Sequence, residues 1–140
     1  MASLEEAIAI AVDAHRGQKD KVGAPYILHP LRVMFRCETE HERMAAVLHD
    51  VVEDTPVTLA TLRERGFPTE VVAAVECLTK REGESYDQFI DRLTPNAVAR
   101  RVKLADLEDN MDVRRLNEVT AKDAERLTRY RRVYARLKAL

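Results

Sequence analysis

Within the run His49-Asp50-Val51-Val52-Glu53-Asp54, four side chains can bind a metal ion or carry a proton. Set on an α-helix at about 100° per residue, Met44, Val47, Leu48, Val51 and Val52 fall on one side, and His49, Asp50, Glu53 and Asp54 share the opposite arc. Glu53 lies one turn beyond His49 and Asp54 one turn beyond Asp50, so all four can point into one small volume. Metal-assisted hydrolysis is one chemistry for such a set. The same arc also suits the solvated face of an amphipathic helix, although such faces usually interleave Lys or Arg with the acids and this run has neither.

A second pattern lies between Pro95 and Met111. Val98, Val102 and Ala105 form one apolar arc and Leu104, Leu107 and Met111 another, with Lys103, Asp106 and Asn110 in a stripe between them. A charged stripe flanked by apolar residues on both sides is expected to be partly buried. Buried charge requires a partner: a metal, an opposite charge or a ligand. The plainest partner is internal, a Lys103–Asp106 ion pair at i, i+3.

The elements that carry these residues are helical. Ser3 with Glu6 caps a first helix that ends near Gly17, and a loop runs from Gly17 to Pro30. A short helix from Pro30 to Cys37 follows, and Thr39 with Glu42 opens the helix carrying His49-Asp50, which Pro56 stops. Thr58 to Arg65 and Pro68 to Thr79 read as two helices divided at Gly66, and Ser85 with Gln88 caps another that reaches Leu93. Thr94-Pro95 opens the next, and Thr120 with Asp123 caps the last. Arg126 and Tyr130 on that last helix are one turn apart and suit a phosphate and a ring. No run alternates with period two for long enough to form a sheet.

With 140 residues, 46% of them hydrophobic, the chain can fold around one core as a single domain spanning positions 1–140. Only four Gly and five Pro mean few turns and long helices, so the expected class is all-α. A formal charge of −1 gives no global argument for nucleic acid or an anionic membrane as a partner. Cys37 and Cys77 stand outside any C-x-x-C arrangement and read as buried or inert thiols of a reducing compartment. The N-terminus has no basic n-region and no stretch approaches membrane-spanning length, so a cytoplasmic location is expected.

His29-Pro30, His49-Asp50 and Asp106, in that order on a helical chain, resemble the HD-domain metal phosphohydrolases. Four ordered blocks narrow the likeness: Ala14-His15-Arg16-Gly17-Gln18, Gly23 to Leu31, Ala46 to Thr55, and Val102-Lys103-Leu104-Ala105-Asp106 with Asn110. They are similar to the hydrolase domain of RelA/SpoT-type enzymes and to the small stand-alone hydrolases of the alarmone (p)ppGpp. The fold this implies is a compact HD-domain bundle of about seven to eight helices.

The resemblance further implies that His29, His49, Asp50 and Asp106 hold one divalent ion, usually manganese, with Glu53 and Asp54 orienting or deprotonating the attacking water. Lys21, Lys103 and Asn110 match positions expected to face substrate, and Arg126 with Tyr130 fits a nucleotide-contacting pair. Two positions depart from the pattern. Asp20 stands where an Arg beside the purine is usual, and Leu107 where a basic residue follows the metal-binding Asp.

The leading function is removal of the 3′-pyrophosphate of (p)ppGpp, with a small phosphorylated nucleotide as the only expected partner. An HD phosphohydrolase for another nucleotide, such as ppApp or NADPH, is the alternative that Asp20 and Leu107 favour. A non-catalytic nucleotide-binding module is the third reading, and the pair Glu53-Asp54 speaks against it, because a sensor needs no water-activating acids. His15 and His41 are expected to be structural or surface histidines, and the oligomeric state stays open.

Overall fold

The computed structural model describes residues 1–140 and is all-α, apart from one isolated β-bridge between Lys19 and Pro25. Nine α-helices follow in order: α1 Leu4–Ala14, α2 Leu28–Phe35, α3 Glu40–Leu48, α4 Val51–Asp54, α5 Leu59–Glu64, α6 Thr69–Leu78, α7 Tyr86–Leu93, α8 Ala97–Asn110 and α9 Ala121–Lys138. A 3-10 turn, Val113–Arg115, connects α8 to α9.

The boundaries follow local chemistry. Thr39, Ser85 and Thr120 each accept the N3 backbone N–H, and Glu42, Gln88 and Asp123 return the bond in full capping boxes. Ser3 accepts from Glu6 N in the same way, without the reciprocal bond. The opening of α8 differs from expectation. Asn96, not Thr94-Pro95, is the cap, its Oδ1 accepting from Ala99 N, while Thr94 extends the end of α7 through Ile90 O.

The larger difference lies at the chemistry-bearing run. The sequence pattern predicts one helix through Asp54, whereas α3 ends at Leu48 and a turn at His49-Asp50 separates it from α4. His49 turns its N–H to Ala46 O in a tightened last turn, and its Nδ1 takes the same carbonyl. Asp50 accepts a hydrogen bond from the hydroxyl of Tyr26. The helix thus breaks where its two ligand-type side chains must face the same point.

Helix α3 is the centre of the packing and touches α1, α2, α6 and α8. Met44 to Leu48 are all buried, so this helix is apolar on every side at its C-terminal end, as a central helix must be. Val33, Val71, Val75, Ile90, Leu93, Val102, Ala105 and Leu107 close the core around it. Cys37 lies inside that core, its thiol raised to about 11 by burial, and Cys77 is half-buried. No helix is long and apolar enough to cross a membrane.

Candidate metal centre and its cleft

Four side chains converge where the first turn of α2, the end of α3 and the middle of α8 meet. His29 Nε2 is 2.9 Å from Asp106 Oδ1 and 3.8 Å from Asp50 Oδ2. His49 Nε2 is 3.2 Å from Asp50 Oδ2 and 3.4 Å from Asp106 Oδ1. That nitrogen is buried yet aligned for a hydrogen bond with neither carboxylate. It points into the space that the four groups share.

The second nitrogen of each ring is already committed. His29 Nδ1 is 2.7 Å from Asp109 Oδ2, and His49 Nδ1 donates to the Ala46 carbonyl. With Nδ1 committed outward, each ring turns Nε2 toward the cluster, where that of His29 hydrogen-bonds to Asp106 Oδ1; a ring protonated only at Nδ1 in this pose is the form that could ligate a metal. Asp109, fully buried, is held in turn by Arg32 Nε at 2.8 Å, with Arg115 at 3.6 Å. Asn110 Nδ2 donates to Asp106 Oδ1 at 3.2 Å, and Tyr26 Oη donates to Asp50 Oδ2. Every carboxylate of the cluster thus has an outer donor that fixes its orientation.

Electrostatics favour a cation at this point. Burial pulls the His29 and His49 imidazoles toward neutrality, but Asp106 with Asp109 for the first, and Asp50 with Asp106 for the second, outweigh it and hold both above their usual range. Burial raises Asp106, yet the Lys103 ammonium and the two imidazoles hold it well below the usual carboxylate range. The carboxylates of Asp50 and Asp106 beside the two imidazoles suit a positive charge among these atoms. His29, His49 and Asp50 bring ligand-type atoms within 4.8 Å of one another, and Asp106 Oδ1 lies 2.9 and 3.4 Å from the two imidazoles, a set that can hold a divalent ion of borderline softness.

Glu53 and Asp54 follow on α4, with ligand-type oxygens of Asp50, Glu53 and Asp54 within 4.8 Å of one another. Burial first, then the charges of Asp50 and Glu53, raise the Asp54 carboxyl and make it a readier proton acceptor. Glu53 Oε1 accepts the Lys80 backbone N–H at 2.8 Å.

A cleft of about 460 Å³ opens over Asp50, Glu53, Asp54 and Asp106. Lys21, Asn110, Arg126 and Tyr130 all line it, so four of the five residues picked as substrate contacts meet the metal cluster in one space. Burial and the charge of Arg126 lower the Lys21 ammonium from its usual value. Arg126 is also paired with Asp123 at 2.7 Å.

Lys103 lies elsewhere. Its ammonium bonds Asp106 Oδ2 at 3.0 Å and sits over the rings of Tyr86 and Phe89, in a smaller cleft of about 160 Å³ that His49, Asp50, Glu53 and Asp106 also line. The charged stripe of α8 is buried at Lys103 and Asp106 and emerges at Asn110. The internal ion pair leaves a ligand role open to Asp106, because Lys103 holds one oxygen while the other faces the imidazoles.

Asp20 and Leu107 have structural explanations. Asp20 Oδ1 accepts the backbone N–H groups of Val22 and Ala24 at 3.0 and 2.9 Å, closing the turn that ends at Gly23, whose φ is +84°. Leu107 is fully buried in the core and offers nothing to the cleft. Asp20→Ala is expected to cost about 1 kcal/mol of stability through the lost turn bonds and to raise KM by loosening Lys21. Thermal melts and steady-state kinetics check it; unchanged values in both would show that the turn holds without its carboxylate.

Sequence reasoning missed Asp109, Arg32 and the Tyr26–Asp50 bond. A signal existed for the first two, since His29 and Arg32 repeat at i, i+3 on α2 as Asp106 and Asp109 do on α8. His15 is buried, with Nδ1 2.9 Å from Gln18 Oε1 and its ring against Tyr26, in keeping with a structural role. His41 is half-buried.

Fold and site together define an HD-type helical domain. No family model matches the chain. It is 39% identical over 116 residues to guanosine-3′,5′-bis(diphosphate) 3′-pyrophosphohydrolase of Haemophilus influenzae, covering 73% of this chain and 17% of that protein. It is 34% identical over 123 residues to the bifunctional (p)ppGpp synthase/hydrolase SpoT of Escherichia coli, covering 77% and 17%. A solved structure described as a metazoan orthologue of SpoT that hydrolyses ppGpp superposes with a TM-score of 0.80 at 25% identity, covering 98% of this chain and 85% of that one. The chain is thus a relative of the RelA/SpoT-type proteins. It spans about a sixth of the length of the curated relatives it matches.

Proposed function

We propose that the chain is a manganese-dependent hydrolase domain that removes the 3′-pyrophosphate of ppGpp, giving GDP and pyrophosphate. The observation that carries this reading is the meeting of His29, His49, Asp50 and Asp106 around one point, with Glu53-Asp54 and the substrate-facing residues opening from it in a single cleft. The names of the relatives supply the substrate.

When bound at this cluster, a divalent ion supplies Lewis-acid polarisation of a phosphoryl oxygen and acidifies water near it. The chain does the rest. Lys21 and Arg126 meet phosphate charge at the mouth of the cleft, and Tyr130 offers a ring face beside them. Asn110, anchored to Asp106, presents its amide between the cluster and the cleft. Water attacks the phosphorus bonded to the 3′-oxygen as that bond breaks, one proton of the water passes to the Glu53-Asp54 pair, and the leaving 3′-oxygen takes a proton back from that pair or from solvent, giving GDP and pyrophosphate. Lys103 acts through Asp106, holding the ligand still.

A substrate panel tests the reading: purified protein with manganese against ppGpp, ppApp, NADPH and simple nucleotides. Pyrophosphate release from ppGpp well above all others is the expected result. Preferential turnover of ppApp or NADPH would move the substrate to the alternative that Asp20 and Leu107 suggested. Binding without turnover of any compound would leave the non-catalytic module.

A further inference from the structure

The connection between α6 and α7 has an unusual anchor. Arg92, on α7, donates from Nε and Nη2 to both oxygens of Glu84 at 2.8 and 3.0 Å. It also donates from Nη2 to Thr79 O at 2.7 Å and from Nη1 to Glu76 O at 3.2 Å. Glu84 Oε1 in turn accepts the Arg81 N–H at 3.0 Å, closing the loop on itself. The Arg92 and Glu84 side chains are only 18% and 12% exposed, against 71% and 75% for the surface pair Arg16–Asp13. A shielded fork of this kind is held by geometry, and a lysine cannot replace it.

The carbonyl of Thr79 and the N–H of Lys80 are the two ends of one peptide group. No peptide bond in the chain is cis, so these ends point in opposite directions. Arg92 grips the carbonyl end, and the N–H end donates to Glu53 Oε1 at 2.8 Å. A cation on the carbonyl oxygen polarises the peptide and strengthens its N–H as a donor. Glu53 has no other protein donor, so its second oxygen is left to face water.

We propose that Arg92 is a positioning residue for Glu53, acting through the Thr79–Lys80 peptide group. The inference rests on the reading of Glu53 as part of the water-activating pair. Its competitor is purely structural: Arg92 caps the last carbonyls of α6 and stiffens the loop, with no consequence for Glu53 beyond stability.

The test compares wild type, Arg92→Gln, Arg92→Lys, Glu53→Gln and the double variant Arg92→Gln with Glu53→Gln, in steady-state hydrolysis of ppGpp at saturating manganese. Arg92→Gln is expected to lower kcat about tenfold with KM within about twofold, and Arg92→Lys to lie between it and wild type. In the Glu53→Gln background the Arg92→Gln change should cost no further kcat, because the residue through which it acts is already disabled. Hydrogen exchange gives a readout independent of turnover. The Lys80 amide should exchange faster in both Arg92 variants, and Arg92→Lys carries the test alone if Arg92→Gln does not fold. Losses that add across Arg92 and Glu53, or unchanged Lys80 exchange, would overturn the proposal while leaving the hydrolase reading intact. A wild-type protein inactive on ppGpp would overturn that reading and the role of Glu53 with it.

Discussion

Replacing His49 or Asp50 with alanine is expected to abolish both manganese binding and ppGpp hydrolysis. His49 reaches the shared point with the one ring nitrogen that Ala46 leaves free, and Asp50 reaches it because the chain breaks beside it and Tyr26 holds its carboxylate. In the proposed four-ligand site, losing either removes one ligand and the geometry that its neighbour depends on. Elemental analysis of purified variants checks the metal. Asp50→Asn, which keeps size and the Tyr26 partner, separates loss of charge from loss of fold, and thermal melts run alongside. Full metal content in His49→Ala and Asp50→Ala would remove the α3–α4 turn from the site.

Glu53→Gln is expected to keep its metal and lose kcat by about 100-fold, the usual scale for a positioned general base. The amide retains the size of the side chain and can still accept the Lys80 N–H through its oxygen, but it cannot take a proton. A metal-loaded Glu53→Gln protein with near-normal turnover would reduce Glu53 to a loop anchor. Asp54, whose proton affinity burial and its acidic neighbours raise, would then be the sole acceptor.

Which features the sequence discloses depends on the range of the interaction behind them. The capping boxes at Thr39, Ser85 and Thr120 span three residues each and are legible, as is the apolar face of each helix. The placement of Glu53 and Asp54 beside Asp50 is legible for the same reason. The break at His49-Asp50 is not, and neither is the bond that Tyr26, 24 residues away, makes to Asp50 there. Asp109 escaped notice because its partners His29 and Arg32 lie 80 and 77 residues distant, and only folding brings α2 against α8. Asp20 departs from the family pattern at a position that lines the cleft, and its two turn bonds to Val22 and Ala24 are a local role that the pattern does not disclose. Lys103 was rightly placed in a buried stripe, but a helical wheel cannot tell on which side of Asp106 its ammonium falls.

The central claim is that one metal-loaded cluster directs water at the 3′-pyrophosphate of ppGpp. Turnover in isotope-labelled water, with products separated and weighed by mass spectrometry, tests it most directly. The expected result is one labelled oxygen in the released pyrophosphate, unlabelled GDP, and no reaction once a chelator has removed the metal. Label in the nucleotide, orthophosphate as the product, or undiminished turnover after chelation would contradict it.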